Sequence, residues 1–167
     1  MSTETTPIVS VVMGSDSDYP VMEEALITLK KFGIPCEAVL TSAHRSPDRT
    51  GRFCAGAAQR GIRVIIAGAG AAAHLAGVIA SLTTLPVIGV PIDSSPLKGI
   101  DALLSTVQMP GGVPVATMAL GKAGARNGAL MAVRILALSD ETLRRKLEAY
   151  IEEMARDLEE KQKTLGA

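Results

Sequence analysis

Five short apolar runs alternate along this chain with segments of helical hydrophobic spacing, and this alternation restricts its fold more than any other feature. Strands are predicted at Ile8–Met13, Cys36–Thr41, Arg63–Ala67, Val87–Pro91 and Val113–Met118. Helices are predicted at Tyr19–Phe32, Pro47–Arg60, Ala72–Leu82, Asp101–Val107 and Ala123–Leu138. Apolar runs without polar alternation indicate strands buried on both faces. We therefore expect an α/β fold of three layers (αβα), with right-handed crossovers between parallel strands.

The order of the strands follows from the loop after the first one. The first of the five strands is followed by a loop rich in glycine, serine and aspartate. Five strands with such a loop favour the flavodoxin-like order 2-1-3-4-5 over a full dinucleotide-binding fold. The 167 residues suffice for one buried core. We expect a single α/β domain over residues 1–167, with its core at about 8–138.

Residues 139–165 form a separate pattern, a long C-terminal amphipathic helix that follows the predicted sheet. Ser139 and Asp140 are a good N-terminal capping pair. One apolar stripe at helical spacing runs through Leu143, Leu147, Tyr150, Ile151, Met154 and Leu158. The stripe packs either on its own subunit or on a neighbouring subunit, and the sequence leaves both open.

Composition and cysteine usage exclude several classes of protein. With 17 basic and 17 acidic residues the chain shows no electrostatic footprint for nucleic acid or an anionic membrane. Cys36 and Cys54 fit neither a zinc spacing nor a disulfide scaffold, so we expect buried free thiols and no metal site. The apolar stretch Val64–Leu82 has glycines at its centre, which favours strand, loop and helix over a membrane span. Met1–Pro7 is polar and acidic, unlike a secretory signal, and we expect a cytoplasmic protein.

Three loops follow the carboxyl ends of neighbouring predicted strands. They are Gly14–Asp18, Ser42–Asp48 and Gly68–His74. Ligands of open parallel sheets bind beyond these strand ends, at the point where the strand order reverses. The three loops are therefore predicted to share one rim and to form the functional site.

The first loop suits a phosphorylated sugar. Ser15 and Ser17 can donate hydroxyls to a phosphate, and the start of the following helix favours an anion. Asp18 is a natural acceptor for ribose hydroxyls. An equally simple interpretation is that Asp18 caps the helix at Tyr19, since aspartate is a preferred cap.

The second loop combines an anion clamp with a group that transfers protons. Arg45 offers a planar guanidinium for phosphate, and Ser42 offers a supporting hydroxyl. His44 can take and return a proton near neutral pH, which makes it the candidate general acid–base residue. A solvated loop histidine without function is the alternative.

The third loop matches a G-x-G-x-x-A pattern, but it lies in the third βα unit rather than the first. Asp93 lies 25 residues after Gly68, where a dinucleotide fold has a ribose-binding acid, so the pattern remains a weak signal for a nicotinamide cofactor. A backbone wall against a small planar ligand is the preferred interpretation, with His74 hydrogen-bonded locally. Gly121 and Lys122 are not a phosphate-binding loop of the Walker type, because Ala116 stands where its first glycine is required.

Several ordered motifs resemble the N5-carboxyaminoimidazole ribonucleotide mutase family of purine biosynthesis. The matching segments are 12–18 (VMGSDSD), 42–48 (SAHRSPD), 67–75 (AGAGAAAHL), 107–115 (VQMPGGVPV) and 119–125 (ALGKAGA). The resemblance implies an isomerase without metal or cofactor, which acts as a homo-octamer with its sites at subunit contacts. It also implies site residues with these roles: His44 as acid–base, Ser15, Ser42 and Arg45 for the 5′-phosphate, Asp18 for the ribose, and Ala43, Ala69, Gly70, His74 and Leu75 around the substrate and carbon dioxide.

The chain departs from this family at four positions. Tyr19 stands where many relatives have tryptophan, Ala71 replaces a common glycine, Ala76 a proline, and Gly111 a frequent basic residue. The last three lie in loops near the predicted pocket, so they bear on affinity more than on the reaction.

Three other functions share the predicted fold. A phosphoreceiver domain requires an aspartate at the end of the third strand, where this chain has Ala67 and Gly68. A flavodoxin-type electron carrier requires aromatic residues around its flavin, and the chain has two tyrosines and two phenylalanines. The closest alternative is a direct carboxylase of the same superfamily, which uses free carbon dioxide. That branch resembles this chain but has lysine in place of Arg45, which favours the mutase.

Overall fold

The computed structural model describes residues 6–165, and its central feature is a five-stranded parallel sheet. The strands are β1 Val9–Met13, β2 Cys36–Leu40, β3 Val64–Gly70, β4 Val87–Ile92 and β5 Ala116–Thr117. The order is β2-β1-β3-β4-β5, so the predicted order is confirmed. Most of the predicted N-terminal segment Met1–Pro7 lies outside the described residues.

Six helices alternate with and follow the strands. They are α1 Tyr19–Lys31, α2 Pro47–Ala57, α3 Leu75–Leu82, α4 Ile100–Val107, α5 Gly121–Ala137 and α6 Glu141–Leu165. A short 3₁₀ turn, Asp16–Asp18, precedes α1. Gly33 has a φ of +74°, a left-handed conformation that only glycine adopts without strain, and it ends α1 as predicted.

Several predicted boundaries differ from the structure by two or three residues. β3 extends to Gly70 because Gly68–Gly70 pair with β4. The third helix begins at Leu75 rather than Ala72, because Ala71 has a φ of +51° and cannot start a right-handed helix. The second helix ends at Ala57 rather than Arg60, and the fifth begins at Gly121.

The fifth strand is much shorter than predicted. Only Ala116 and Thr117 pair with β4, whereas the apolar run suggested Val113–Met118. Pro114 has no N–H to donate, which interrupts the ladder at this edge of the sheet. The stretch Val64–Leu82 divides into β3, a loop and α3, as predicted. Among the described residues no helix is both long and apolar enough to cross a membrane.

The core lies on both faces of the central strands. Every residue of β1 and β4 is buried. Gly68 of β3 lies against Met22 of α1, and a Cβ added at Gly68 would meet the Met22 sulfur, with the Cγ and Cε atoms at 2.9 Å. Met22 is fully buried, so it has no free space to move into. Cys54 is buried as expected, whereas Cys36 is only half-buried, because β2 is an edge strand.

One exposed apolar stripe lies on α4 and on Leu97, three residues before it. Leu97, Ile100, Leu104 and Val107 are each at least half exposed. The spacing of four and three residues places Ile100, Leu104 and Val107 on one face of the helix, and Leu97 lies in the loop before it. We name this set the α4 stripe.

The chain divides into two compact units after Ala132, and the second contains the end of α5 and all of α6. Asp140 caps α6, since its Oδ1 accepts the Leu143 N–H at 3.0 Å. Leu143 and Leu147 are buried, whereas Ile151, Met154 and Leu158 are exposed. A single domain over residues 1–167 stays a prediction.

Candidate active site

The sheet register brings the three predicted loops to one edge. Met13 at the end of β1 pairs with Leu40 of β2 and with Gly68 of β3. Gly70 in turn pairs with Ile92 at the end of β4. Because all the strands are parallel, the residues that follow these positions lie side by side at the carboxyl edge.

The first loop is folded around its own polar side chains. The Ser15 N–H donates to Asp18 Oδ2 at 3.0 Å, and the Ser17 hydroxyl donates to Ser15 Oγ at 2.8 Å. Ser15 thereby caps the 3₁₀ turn in a capping box with Asp18. The Asp18 side chain makes no capping hydrogen bond to α1. The prediction that Asp18 caps this helix is therefore wrong, because its carboxylate belongs to the capping box of the preceding 3₁₀ turn.

Asp18 is the buried acid of the site. The residue is only 4% exposed, and this burial raises the pKa of its carboxyl. Hydrogen bonds from the Ser15 and Gly14 amides and the charge of Arg45 lower the pKa in part. Burying a carboxylate without a direct cationic partner costs stability, which is typical of a functional position rather than a structural one.

The second loop is fixed by serine hydroxyls. The Ser46 hydroxyl accepts the Ser42 N–H at 3.0 Å, and Ser42 Oγ accepts the Arg45 N–H at 3.2 Å. The Arg45 guanidinium crosses to the first loop, where Nη2 donates to the Gly14 carbonyl oxygen at 2.6 Å. Arg45 therefore ties the two loops together and remains exposed.

The two histidines form a pair. His44 Nε2 lies 2.8 Å from His74 Nδ1, and the rings are edge-to-face with centroids 4.9 Å apart. A hydrogen bond between two imidazoles requires one donor nitrogen and one acceptor nitrogen. The bond therefore couples the tautomer of His44 to that of His74. The sequence predicted only local hydrogen bonding for His74, and this prediction is wrong, because the partner is 30 residues away.

The third loop forms a wall of small residues. Ala71 adopts the left-handed region, which costs an alanine about 1–2 kcal/mol relative to glycine. The amides of Ala73 and His74 each donate to a carbonyl two residues earlier, at 2.9 Å. The segment is thus a series of tight turns rather than the first turn of a helix.

A cavity of about 280 Å³ lies between the three loops. Nine of the ten predicted site residues line it: Ser15, Asp18, Ser42, Ala43, His44, Arg45, Ala69, Gly70 and Leu75. His74 is the tenth, and it reaches the cavity only through His44. Ser94 also lines the cavity, and no role was predicted for it. Its position just after β4 is a signal that could have indicated it.

A second cavity of about 340 Å³ adjoins the first at Arg45. Ser15, Ser42 and Arg45 line both cavities, and Arg49 adds a second guanidinium to the outer one. Two hydroxyls and two guanidinium groups suit an anion such as phosphate. Within residues 6–165 no group of three or more His, Cys, Asp or Glu side chains is arranged to hold a metal ion.

The fold and the site define a flavodoxin-like α/β protein with a hydrogen-bonded histidine pair and two guanidinium groups at the carboxyl edge of its sheet. The profile of one family, AIR carboxylase, matches residues 8–157. An N5-carboxyaminoimidazole ribonucleotide mutase from Pyrococcus horikoshii is 55% identical over 159 residues, which cover 95% of this chain and 89% of that protein. The chain belongs to the AIR carboxylase family.

Two further relatives bear on the fold and on the reaction. The crystal structure of Treponema denticola PurE superposes with a TM-score of 0.86 at 28% identity and covers 95% of this chain and 98% of that one. A phosphoribosylaminoimidazole carboxylase from Saccharomyces cerevisiae is 52% identical over 145 residues, 87% of this chain. The match covers only 25% of that longer protein.

Proposed function

We propose that this protein is an isomerase of purine biosynthesis that converts N5-carboxyaminoimidazole ribonucleotide to 4-carboxy-5-aminoimidazole ribonucleotide. The observation that carries the proposal is the position of His44, which lines the cavity beside Arg45 and is bonded to His74. The mutase names of relatives at 55% and 52% identity support the same reaction.

The polar residues divide between the phosphate and the ribose of this substrate. Ser15, Ser42 and Arg45 would bind the 5′-phosphate, because they line both cavities where these adjoin. Arg49 would add charge from the outer cavity. Asp18 would accept hydrogen bonds from ribose hydroxyls, which explains why a buried carboxylate is kept at this position.

The small residues would hold the base and the carbon dioxide. Ala43, Ala69, Gly70 and Leu75 line the same cavity as His44. Because they have no polar side-chain atoms, they form an apolar part of the cavity that would hold carbon dioxide between the two steps. The wall is made of backbone and methyl groups, so a planar imidazole ring can lie close against it.

His44 would act first as an acid and then as a base. Protonation of the exocyclic nitrogen by His44 breaks the N–C bond of the carbamate and releases carbon dioxide. C4 of the aminoimidazole then attacks the carbon dioxide, and neutral His44 removes the C4 proton. The proton given in the first step is recovered in the last, so the isomerisation needs no cofactor or metal. Holding both reactants in one cavity makes the second step effectively unimolecular.

Replacement of His44 by asparagine tests the mechanism. His44→Asn keeps size and some hydrogen bonding but cannot exchange a proton, so turnover should fall at least about 100-fold. The thermal unfolding temperature and the affinity for ribose 5-phosphate should stay near the wild-type values, because other residues than His44 bind the phosphate. A folded His44→Asn protein with near-normal turnover would exclude this role.

The second candidate function is direct carboxylation with free carbon dioxide, supported by the carboxylase name of the yeast relative. Labelled bicarbonate separates the two. A mutase should give unlabelled product from N5-carboxyaminoimidazole ribonucleotide, undiminished by chelators, and should use aminoimidazole ribonucleotide poorly. Rapid entry of label well before equilibrium would favour the carboxylase.

We further propose a homo-oligomer, by resemblance an octamer, working in the cytoplasm. The α4 stripe and the exposed Ile151, Met154 and Leu158 are apolar surfaces of the kind that oligomers bury. Sedimentation velocity at assay concentration should give one large species. An active monomer would contradict the proposal and leave the C-terminal helix to its own subunit.

A further inference from the structure

Helix α4 contacts the third loop of the site through the hydroxyl of Ser105. The Ala73 N–H donates to Ser105 Oγ at 3.2 Å. The hydroxyl has one proton, and its nearest acceptor is the Asp101 carbonyl oxygen at 2.5 Å on the same helix. The Ala71 and Ala102 carbonyl oxygens lie farther away, at 3.4 and 3.3 Å. Ser105 is thus oriented by α4 and acts as acceptor for the loop.

The loop depends on this contact because it has little regular structure of its own. Residues 71–74 belong to neither β3 nor α3, and Ala71 is in a left-handed conformation. Ala73 is buried, so its N–H needs a protein partner. The same N–H also donates to the Ala71 carbonyl oxygen at 2.9 Å, but this bond spans only two residues and does not tie the segment to another element.

The neighbouring Thr106 lies near the next peptide, between Ala73 and His74, but holds it only weakly. Its hydroxyl lies 3.5 Å from the Ala73 carbonyl oxygen but donates to Ala102 at 2.7 Å. Of the two α4 hydroxyls near the loop, Ser105 therefore makes the firmer contact, as the acceptor of the Ala73 N–H.

We propose that Ser105 is a positioning residue that sets the reach of His74 toward His44. His74 follows Ala73 directly, so a shift of the Ala72–Ala73 peptide would also move the backbone that carries the His74 ring. Ser105 does not line the cavity, and its effect would pass through the 2.8 Å bond between the two imidazoles. This inference rests on the proposed role of His44.

The test is the removal of the Ser105 hydroxyl. Ser105→Ala should lower kcat about tenfold and leave KM within about twofold, because small displacements of a catalytic group cost rate while the phosphate-binding loops are unchanged. Ser105→Thr, which restores a hydroxyl, should recover most of the turnover. Ser81→Ala is the matched control, since its hydroxyl also donates to a helix carbonyl but is exposed and far from the loop.

A second background shows whether the effect passes through His74. In a His74→Asn protein, Ser105→Ala should cause no further loss of kcat, because the bond it positions is already gone. An equal tenfold loss in that background would overturn the proposal, as would unchanged kcat in Ser105→Ala. If Ser105→Ala does not fold, Ser105→Cys, a weak acceptor of similar size, takes its place.

A readout without turnover separates this proposal from the proposed function. NMR signals of the two imidazoles should shift in Ser105→Ala and stay in place in Ser81→Ala. If the wild type lacks mutase activity, the function fails, while the imidazole shifts still decide the role of Ser105. Unchanged imidazole signals would refute the positioning role whatever the enzyme does.

Discussion

Gly68 offers a quantitative test of why the third strand ends in glycines. The G-x-G-x-x-A pattern suggests a glycine kept for a ligand, whereas the structure places Gly68 against the buried Met22 and outside the lining of the site cavity. Gly68→Ala should therefore reduce stability by packing alone. Its added methyl group overlaps the thioether sulfur and lies 2.9 Å from two carbons of Met22.

The expected loss in the free energy of unfolding depends on how far the packed core can adjust to the added methyl group. Overpacking a well-packed core costs about 1–3 kcal/mol, and we expect about 3 kcal/mol for Gly68→Ala because Met22 is fully buried. Met22→Ala alone should cost about 3 kcal/mol through the cavity it leaves. In the double variant the new methyl group occupies part of that cavity. The total should therefore be about 3 kcal/mol rather than about 6, a coupling of about 3 kcal/mol.

Urea unfolding of the four proteins measures this cycle, with turnover measured on each folded variant. Additive losses in the double variant would refute the packing explanation. A loss of turnover far beyond the loss of folded protein would instead indicate that Gly68 contacts a ligand.

Three other changes test single features of the structure. Asp18→Asn keeps an acceptor for the capping box and removes a buried charge. Since burial raises the pKa of Asp18, its carboxyl favours folding only at low pH and loses that contribution as pH rises through the folded pKa. The variant should thus melt a few degrees higher at pH 7 in a thermal scan, while KM rises at least about tenfold. Glu37 makes a bidentate pair with Arg60 that lowers its pKa. The contribution of this pair to the free energy of unfolding is complete above the unfolded pKa of Glu37, near 4.3, and is lost as pH falls through the folded pKa. Glu37→Gln should therefore lower the free energy of unfolding in urea by about 1 kcal/mol at pH 7 and by less at pH 3. Gly124→Ala places a methyl group against the Ala119 carbonyl, 2.7 Å from its carbon, and should lower the free energy of unfolding by about 3 kcal/mol.

Local sequence patterns predicted most of the fold, because strands and helices alternate along the chain and helices end at glycines such as Gly33. The fifth strand was overestimated because an apolar run does not show that Pro114 interrupts the ladder. The three loops were predictable from the rule that parallel strands share a carboxyl edge. Contacts made only by the tertiary fold were not predictable, and the bond between His44 and His74 is the clearest of these.

The two sides of helix α4 have different surroundings. Its outward face carries the apolar α4 stripe, while the hydroxyl of Ser105 on its other side holds the loop that leads to His74. Since the helix has only eight residues, a neighbouring subunit of the proposed homo-oligomer that covered the stripe would also affect the position of the serine. Specific activity would then depend on protein concentration. Dilution below the assembly threshold would reduce catalysis before any subunit unfolds, through loss of the external support of this short helix.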